Sequence, residues 1–134
     1  MPTTYLLDTD ICIYGRGLQP KVVARLEQVE EGDAAISVVT YGELLFGCAK
    51  SPAPQQALLR LNLFVSRIQA LPLPVEAAPV YGQIRNELER QGKRIGPNDL
   101  WIAAHALASD LILVTNNERE FRRIDGLKIE NWAK

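Results

Sequence analysis

The chain has 134 residues, 47% of them hydrophobic and 23% charged, with a formal net charge of −1. That is one domain, over residues 1–134, with an ordinary globular balance and enough apolar residues for a core without disulfide staples. The near-neutral charge does not support a strongly basic nucleic-acid binder, leaves room for a nuclease with a local basic patch, and no apolar stretch is long enough to span a bilayer.

The N-terminus lacks a basic region followed by a long apolar run, so no signal peptide is expected. Cys12 and Cys48 lie inside apolar segments without metal-ligand spacing. They read as reduced core residues of a cytoplasmic protein.

In chain order, Thr4 to Asp8 reads as a strand. Gly15, Gly17 and Pro20 then break the chain. A helix is predicted from Pro20 to Glu31, with Val22, Val23, Leu26 and Val29 on one face. Gly32-Asp33 marks a turn, and Ala34 to Val38 reads as a short buried strand. A helix starts near Thr40, capped by Thr40 or Ser37, with Glu43 near its first turn. Gln55 to Ile68 carries a helical apolar stripe of Ala57, Leu58, Leu61, Phe64, Val65 and Ile68. Leu71-Pro72-Leu73-Pro74 reads as an edge strand or an extended linker, because proline cannot donate to a central ladder. Val75 to Gln91 is a further helix that Gly92 ends. Gly96-Pro97-Asn98-Asp99 opens a helix to about Ser109 that is apolar nearly all round and therefore central. Leu111 to Thr115 and Leu127 to Ile129 are the last strands. Strands alternating with helices predict an α/β fold with a mostly parallel sheet. Asp8, Ser37–Thr40 and Thr115–Asn117 would then share the C-terminal edge of that sheet, where open α/β sheets bind ligands.

Three acids stand in apolar settings: Asp8 after Tyr5-Leu6-Leu7, Glu43 in Tyr41-Gly42-Glu43-Leu44-Leu45, and Asp99 before Leu100-Trp101-Ile102. A buried carboxylate is costly unless something pairs with it. Two carboxylates about 4 Å apart repel by roughly 4 kcal/mol at an effective dielectric near 20. Three together call for protonation or a divalent cation. Carboxylates without histidine suit Mg²⁺, and Mn²⁺ accepts the same oxygens. Taken singly, Glu43 and Asp99 read as helix-start acids favoured by the dipole or as caps. Taken together with Asp8, they point to a metal site. After the strand ending near Thr115, Thr115, Asn117 and Glu120 offer further oxygens, and a strand-to-helix turn with Asn caps explains them equally well.

With these segments in view, the chain resembles the PIN-domain ribonucleases, specifically the VapC toxins of bacterial toxin–antitoxin pairs. The resemblance runs over essentially the whole chain. It rests on Leu6-Leu7-Asp8-Thr9-Asp10-Ile11, Ser37-Val38-Val39-Thr40-Tyr41-Gly42-Glu43-Leu44, Asn98-Asp99-Leu100-Trp101-Ile102-Ala103-Ala104, and Leu113-Val114-Thr115-Asn116-Asn117 with Arg119-Glu120-Phe121. It implies a PIN-like three-layer α/β/α sandwich. It also implies Mg²⁺-dependent endonucleolytic cleavage of RNA, with Asp8, Glu43 and Asp99 holding the metal and Asp10 in the outer shell. Many relatives carry a further aspartate where this chain has Asn117, so Asn117 or Glu120 would complete the site. The resemblance implies structured RNA such as initiator tRNA as substrate, a block on translation, and a VapB-type antitoxin that inserts a segment across the acidic site. It also implies a homodimer that assembles further with antitoxin.

RNA approaching acids needs basic guides. Candidates are Arg85, Arg90, Lys93 and Arg94 before the Asp99 helix, and Arg119, Arg122 and Arg123 after the last acid. A solvated helix face explains most of them. Tyr14 and Trp101 are candidates for base stacking, though Trp101 fits the core or a dimer contact better. The apolar stripe from Gln55 to Ile68 and the segment Leu44-Leu45-Phe46 would suit a groove for an antitoxin helix, or ordinary core packing.

Two other enzyme-like readings are weak. Asp8-Thr9-Asp10 resembles a haloacid-dehalogenase-type phosphatase, but Cys12 stands where Thr or Val is expected and the chain is short for that fold. A response-regulator receiver needs a phospho-acceptor aspartate ending a middle strand, and Ala34 to Thr40 offers none. The stronger rival is a non-catalytic PIN-like module that binds RNA or protein, motivated by Asn117 and opposed by three intact acids.

Overall fold

The computed structural model describes residues 3–17 and 19–134. Its elements are β1 (Tyr5–Leu7), α1 (Thr9–Arg16), α2 (Pro20–Gln28), β2 (Ala34–Ser37), α3 (Val38–Lys50), α4 (Pro54–Arg67), β3 (Gln69–Leu71), α5 (Ala77–Arg90), α6 (Pro97–Ala108), β4 (Ile112–Val114), α7 (Glu118–Phe121) and β5 (Ile129–Glu130). The strands form one sheet in the order β3-β2-β1-β4-β5, every neighbouring pair parallel. The chain builds outward from β1 to β2 and β3, then returns to the other side of β1 for β4 and β5. The strand order therefore reverses between β1 and β4, the crevice where such sheets bind ligands.

Strand alternation divides the core in two. Leu6 and Leu113 face one layer, where they meet Leu88 of α5, Leu100, Ile102, Ala103 and Ala106 of α6, and Phe121 of α7. Leu7, Ile36 and Val114 face the other, where they meet Ile11 and Cys12 of α1, Val22 of α2, Leu44 and Cys48 of α3, and Leu61 of α4. The result is the α/β/α sandwich expected. Both cysteines are buried. No helix among the described residues is long and apolar enough to cross a membrane.

Several boundaries differ from the sequence expectation, each for a local reason. Gly15 does not break the chain; it lies inside α1. A Cβ there would stand 2.7 Å from Leu26 Cδ1, so glycine lets α1 cross α2 closely. α3 starts at Val38, because Ser37 rather than Thr40 is its cap, accepting from the Val39 N–H at 3.2 Å. β3 covers Gln69–Leu71, ending just before Pro72. The last strand is Ile129–Glu130. Gly92 does end α5: with φ +70 it lets Lys93 N–H reach the Leu88 carbonyl at 2.8 Å and its own N–H reach Glu89 at 3.1 Å.

The C-terminal tail locks onto the second layer. Trp132 is 1% exposed, meets Tyr5 edge-on at 5.1 Å and lies 4.8 Å beneath the Arg25 guanidinium. Its Nε1–H donates to Glu130 at 3.0 Å, and Glu130 also pairs with Arg25. Trp132→Ala should lower stability by about 3–5 kcal/mol. Urea denaturation checks this; a loss below about 1 kcal/mol would make the tail peripheral to the fold.

Candidate active site

The sheet delivers Asp8 to the crevice. β1 ends at Leu7, and Asp8 N–H completes the ladder to Val114 O at 2.8 Å. Asp8 is also the cap of α1: its Oδ1 accepts from Thr9 N–H at 2.8 Å. Its Oδ2 accepts from the Thr115 hydroxyl, also at 2.8 Å. Thr115 follows the adjacent strand β4, so two neighbouring strand ends fix one carboxylate. Asp8 is only 5% exposed. Burial, with the charges of Asp10 and Asp99 adding to it, raises its pKa to about 7.

Asp99 and Asp10 arrive from first turns of helices, whereas Glu43 stands in the second turn of α3, because that helix starts at Val38 and not near Thr40. Asp99 sits in the first turn of α6, which Gly96 and Pro97 open. Its pKa is pushed up to about 6, first by burial and then by Glu120, Glu43 and Asp10. Those charges come from three other elements, α7, α3 and α1, which places Asp99 within electrostatic reach of all three. Asp10, in the first turn of α1, is also raised, chiefly by burial. Its Oδ1 is buried and has no hydrogen-bond partner among the described residues. Glu43 projects from α3, where Thr9 Oγ1–H donates to its Oε1 at 2.7 Å. The Thr40 hydroxyl lies 3.2 Å from Thr9 Oγ1.

The segment after β4 ties Asn117 to Glu120. Asn117 holds the N-terminal cap position of α7 but makes no side-chain cap bond. Its amide instead donates to Glu120 Oε2 at 2.9 Å, and its N–H to Thr115 Oγ1 at 2.9 Å. The charge of Glu120 acts on Asp99. Glu118 turns away and is held at about 2, by hydrogen bonds from Asn131 and Lys134.

Among the described residues, no three His, Cys, Asp or Glu side chains stand close enough to hold one ion among them. The donor set nonetheless suits a hard cation. It is all oxygen, it includes an unpartnered buried carboxylate oxygen on Asp10, and Mg²⁺ is typically bound through one or two carboxylates with water in its other positions.

The basic candidates lie outside this cluster. Arg85 is bound to Glu89 at 2.7 Å and to Tyr81 at 2.9 Å. Arg94 lines a shallow cleft of about 310 Å³ with Arg85, Gly96 and Pro97, and Arg123 donates to its carbonyl at 3.2 Å. Lys93 and Arg119 are exposed. Trp101 is half-buried and stacks on Tyr81 at 3.9 Å with 13° between the rings, so one face is already covered. The side chain of Tyr14 falls outside the described residues. Sequence reasoning did not single out Thr9, Thr40, Ser37 or His105 as site-supporting residues. Only Thr9 carried a usable signal, a hydroxyl adjoining the first acid.

A PIN-domain family model matches residues 5–127. The chain is 45% identical over 129 residues to the tRNA(fMet)-specific endonuclease VapC of Shigella flexneri, covering 96% of this chain and 98% of that protein. It is 41% identical over 132 residues to ribonuclease VapC2 of Rickettsia felis, covering 97% and 98%. Its fold matches the crystal structure of VapBC2 from Rickettsia felis bound to a promoter DNA fragment, with a TM-score of 0.91, 39% identity and coverage of 97% and 99%.

Raised carboxylate pKa values have a thermodynamic signature. Between the ordinary 3.8 and about 7, folded Asp8 binds more proton than unfolded Asp8. Its contribution to stability is therefore present at low pH and lost as pH rises through that window. His105, pushed down by burial, runs the opposite way. Comparing the parent with Asp8→Asn removes that contribution. In EDTA, the melting temperature of Asp8→Asn should gain on the parent's as pH rises from about 5 to 8. A difference that stays constant with pH would contradict the strain assigned to Asp8.

Proposed function

The chain belongs to the PIN-domain family, and from that membership we propose that it is a VapC-type endoribonuclease, the toxin of a toxin–antitoxin pair. The observation that carries the proposal is the upward shift of two buried acids, Asp8 by burial with the charges of Asp10 and Asp99, and Asp99 by burial with those of Glu120, Glu43 and Asp10. PIN-domain nucleases depend on a divalent metal; Mg²⁺, with Mn²⁺ as substitute, is the ion proposed here.

Asp8, Glu43 and Asp99 are the residues proposed to hold it, one or two of them directly and the rest through its waters. A divalent ion held there would offset the negative charge of the acids and lower the pKa of water, so that hydroxide becomes available to attack a phosphodiester. The protein's part is orientation. Thr9 N–H and Thr115 O–H fix both oxygens of Asp8, and the Thr9 hydroxyl fixes Glu43. Asn117 adds no charge. It aims Glu120, which we take to complete the site in place of the family's further aspartate.

The RNA proposed is structured, with initiator tRNA first in view of what the Shigella relative is named for. Lys93, Arg94, Arg119 and Arg123 are the phosphate guides, since Arg85 is already paired with Glu89. The proposed protein partner is a VapB-type antitoxin. Phe46, Leu59 and Leu63 are 65%, 65% and 71% exposed on α3 and α4, a larger apolar display than one domain needs. An adjoining cleft of about 380 Å³ runs from Glu43 past Leu44, Gly47 and Ala57 to Arg60. An amphipathic antitoxin segment suits both. A homodimer that assembles further with antitoxin, in the bacterial cytoplasm, completes the proposal.

The test uses purified, antitoxin-free protein with total bacterial RNA, in Mg²⁺ or EDTA, beside Asp8→Asn, with new RNA ends mapped by sequencing. Discrete ends that vanish in EDTA and fall by about 10²–10³-fold or more in the variant are expected. Ends produced equally by a folded Asp8→Asn protein would refute the site. No ends from folded, inhibitor-free parent would favour the binding-module reading.

A further inference from the structure

We propose that His105 is a positioning residue for the metal site: its hydrogen bond to Ser37 fixes the start of α3 against α6 and so sets the spacing of Glu43 and Asp99. The inference rests on the reading that these two acids flank the metal. His105 is 1% exposed and its Nδ1 lies 2.9 Å from Ser37 Oγ. An imidazole is a costly way to fill a core, since a buried polar ring must find a partner. Its partner here is a junction. Ser37 ends β2, caps α3 through the Val39 N–H, and is itself fully buried.

His105 lies on α6, the helix that carries Asp99 near its start. Six residues separate the two, about 9 Å along the axis. Ser37 stands six residues before Glu43. Thr40, between them, is fully buried and lies 3.2 Å from the Thr9 hydroxyl that holds Glu43. A shift at Ser37 therefore moves the helix start, Thr40 and Glu43 together, relative to an Asp99 anchored on the other side of the bond. With Ser37 O–H donating to Nδ1, the Ser37 oxygen still accepts from Val39 N–H. That leaves the ring proton on Nε2. Burial keeps the ring neutral, as this arrangement requires.

The test measures Mn²⁺ binding by calorimetry, and melting temperature, on the full antitoxin-free chain. His105→Leu should weaken Mn²⁺ binding about tenfold, the low end of what supporting residues cost a metal site. His105→Asn, whose amide can reach where Nδ1 stood, should recover to within about threefold of the parent. Ser37→Ala removes the same bond with little loss of volume and serves if the leucine variant does not fold. Combined with His105→Leu, it should weaken binding no further than either change alone. A leucine variant that melts lower yet binds Mn²⁺ like the parent would reduce His105 to core packing and overturn the proposal. So would leucine and asparagine variants weakened alike. Asp99→Asn is the control for the underlying reading. If it leaves Mn²⁺ binding intact, the metal assignment itself fails and this inference falls with it.

Discussion

Asp8 is a buried carboxylate held by one backbone N–H and one hydroxyl, and the rest of the architecture is arranged around that unstable fact. A carboxylate placed at the end of a central parallel strand cannot reach bulk water. It must be neutralised by a proton, a partner or a cation. The chain brings further acids beside it and thereby makes the proton harder to remove. Such an arrangement makes physical sense when a divalent ion is the expected neutraliser, because each added carboxylate then strengthens binding instead of merely costing stability.

The fold contributes by bringing distant segments to one edge. A parallel sheet ends all its strands on the same side, so β1, β2 and β4 hand Asp8, Ser37 and Thr115 to a common crevice. Helices that start at that edge present their N-terminal turns to it: α6 carries Asp99 in its first turn and α3 carries Glu43 in its second. Two layers of helices with separate cores hold the sheet from both faces. The tail is tied to the same end of the molecule: Asn131 donates to Asn116 at 3.0 Å and to Glu118 at 2.9 Å, bracing the segment that carries Asn117 and Glu120.

How much of this was legible depended on whether a residue's role was local. Asp8, Glu43 and Asp99 stood out because each interrupts an apolar run, and Gly92 because a helix stop is written within a few residues. Gly15 misled because its reason is a tertiary contact: the nearest obstacle, Leu26, lies on another helix. α7 has four residues and is anchored by Phe121 in the core, so it carried no periodicity to read. The bonds that support the site are equally non-local. Thr9 reaches Glu43 across 34 residues of sequence, and Ser37 reaches His105 across 68. A lone histidine and a threonine have no spacing to betray them.

The partners chosen by each acid separate two kinds of carboxylate in the same chain. Glu118 is held by Asn131, Lys134 and Arg122, and Glu89 by Arg85. Both lie below their ordinary pKa, because cations and donors stabilise the charged form. Asp8 and Glu43 are instead held by threonine hydroxyls and a backbone N–H. Neutral donors fix where the oxygens point but leave the negative charge uncompensated. An arginine in their place would orient Asp8 just as firmly while cancelling the negative field that a cation would need. The threonines therefore do what a salt bridge cannot, which is to pre-organise the acids without occupying them. This difference in partner type distinguishes the site from the surface ion pairs that surround it.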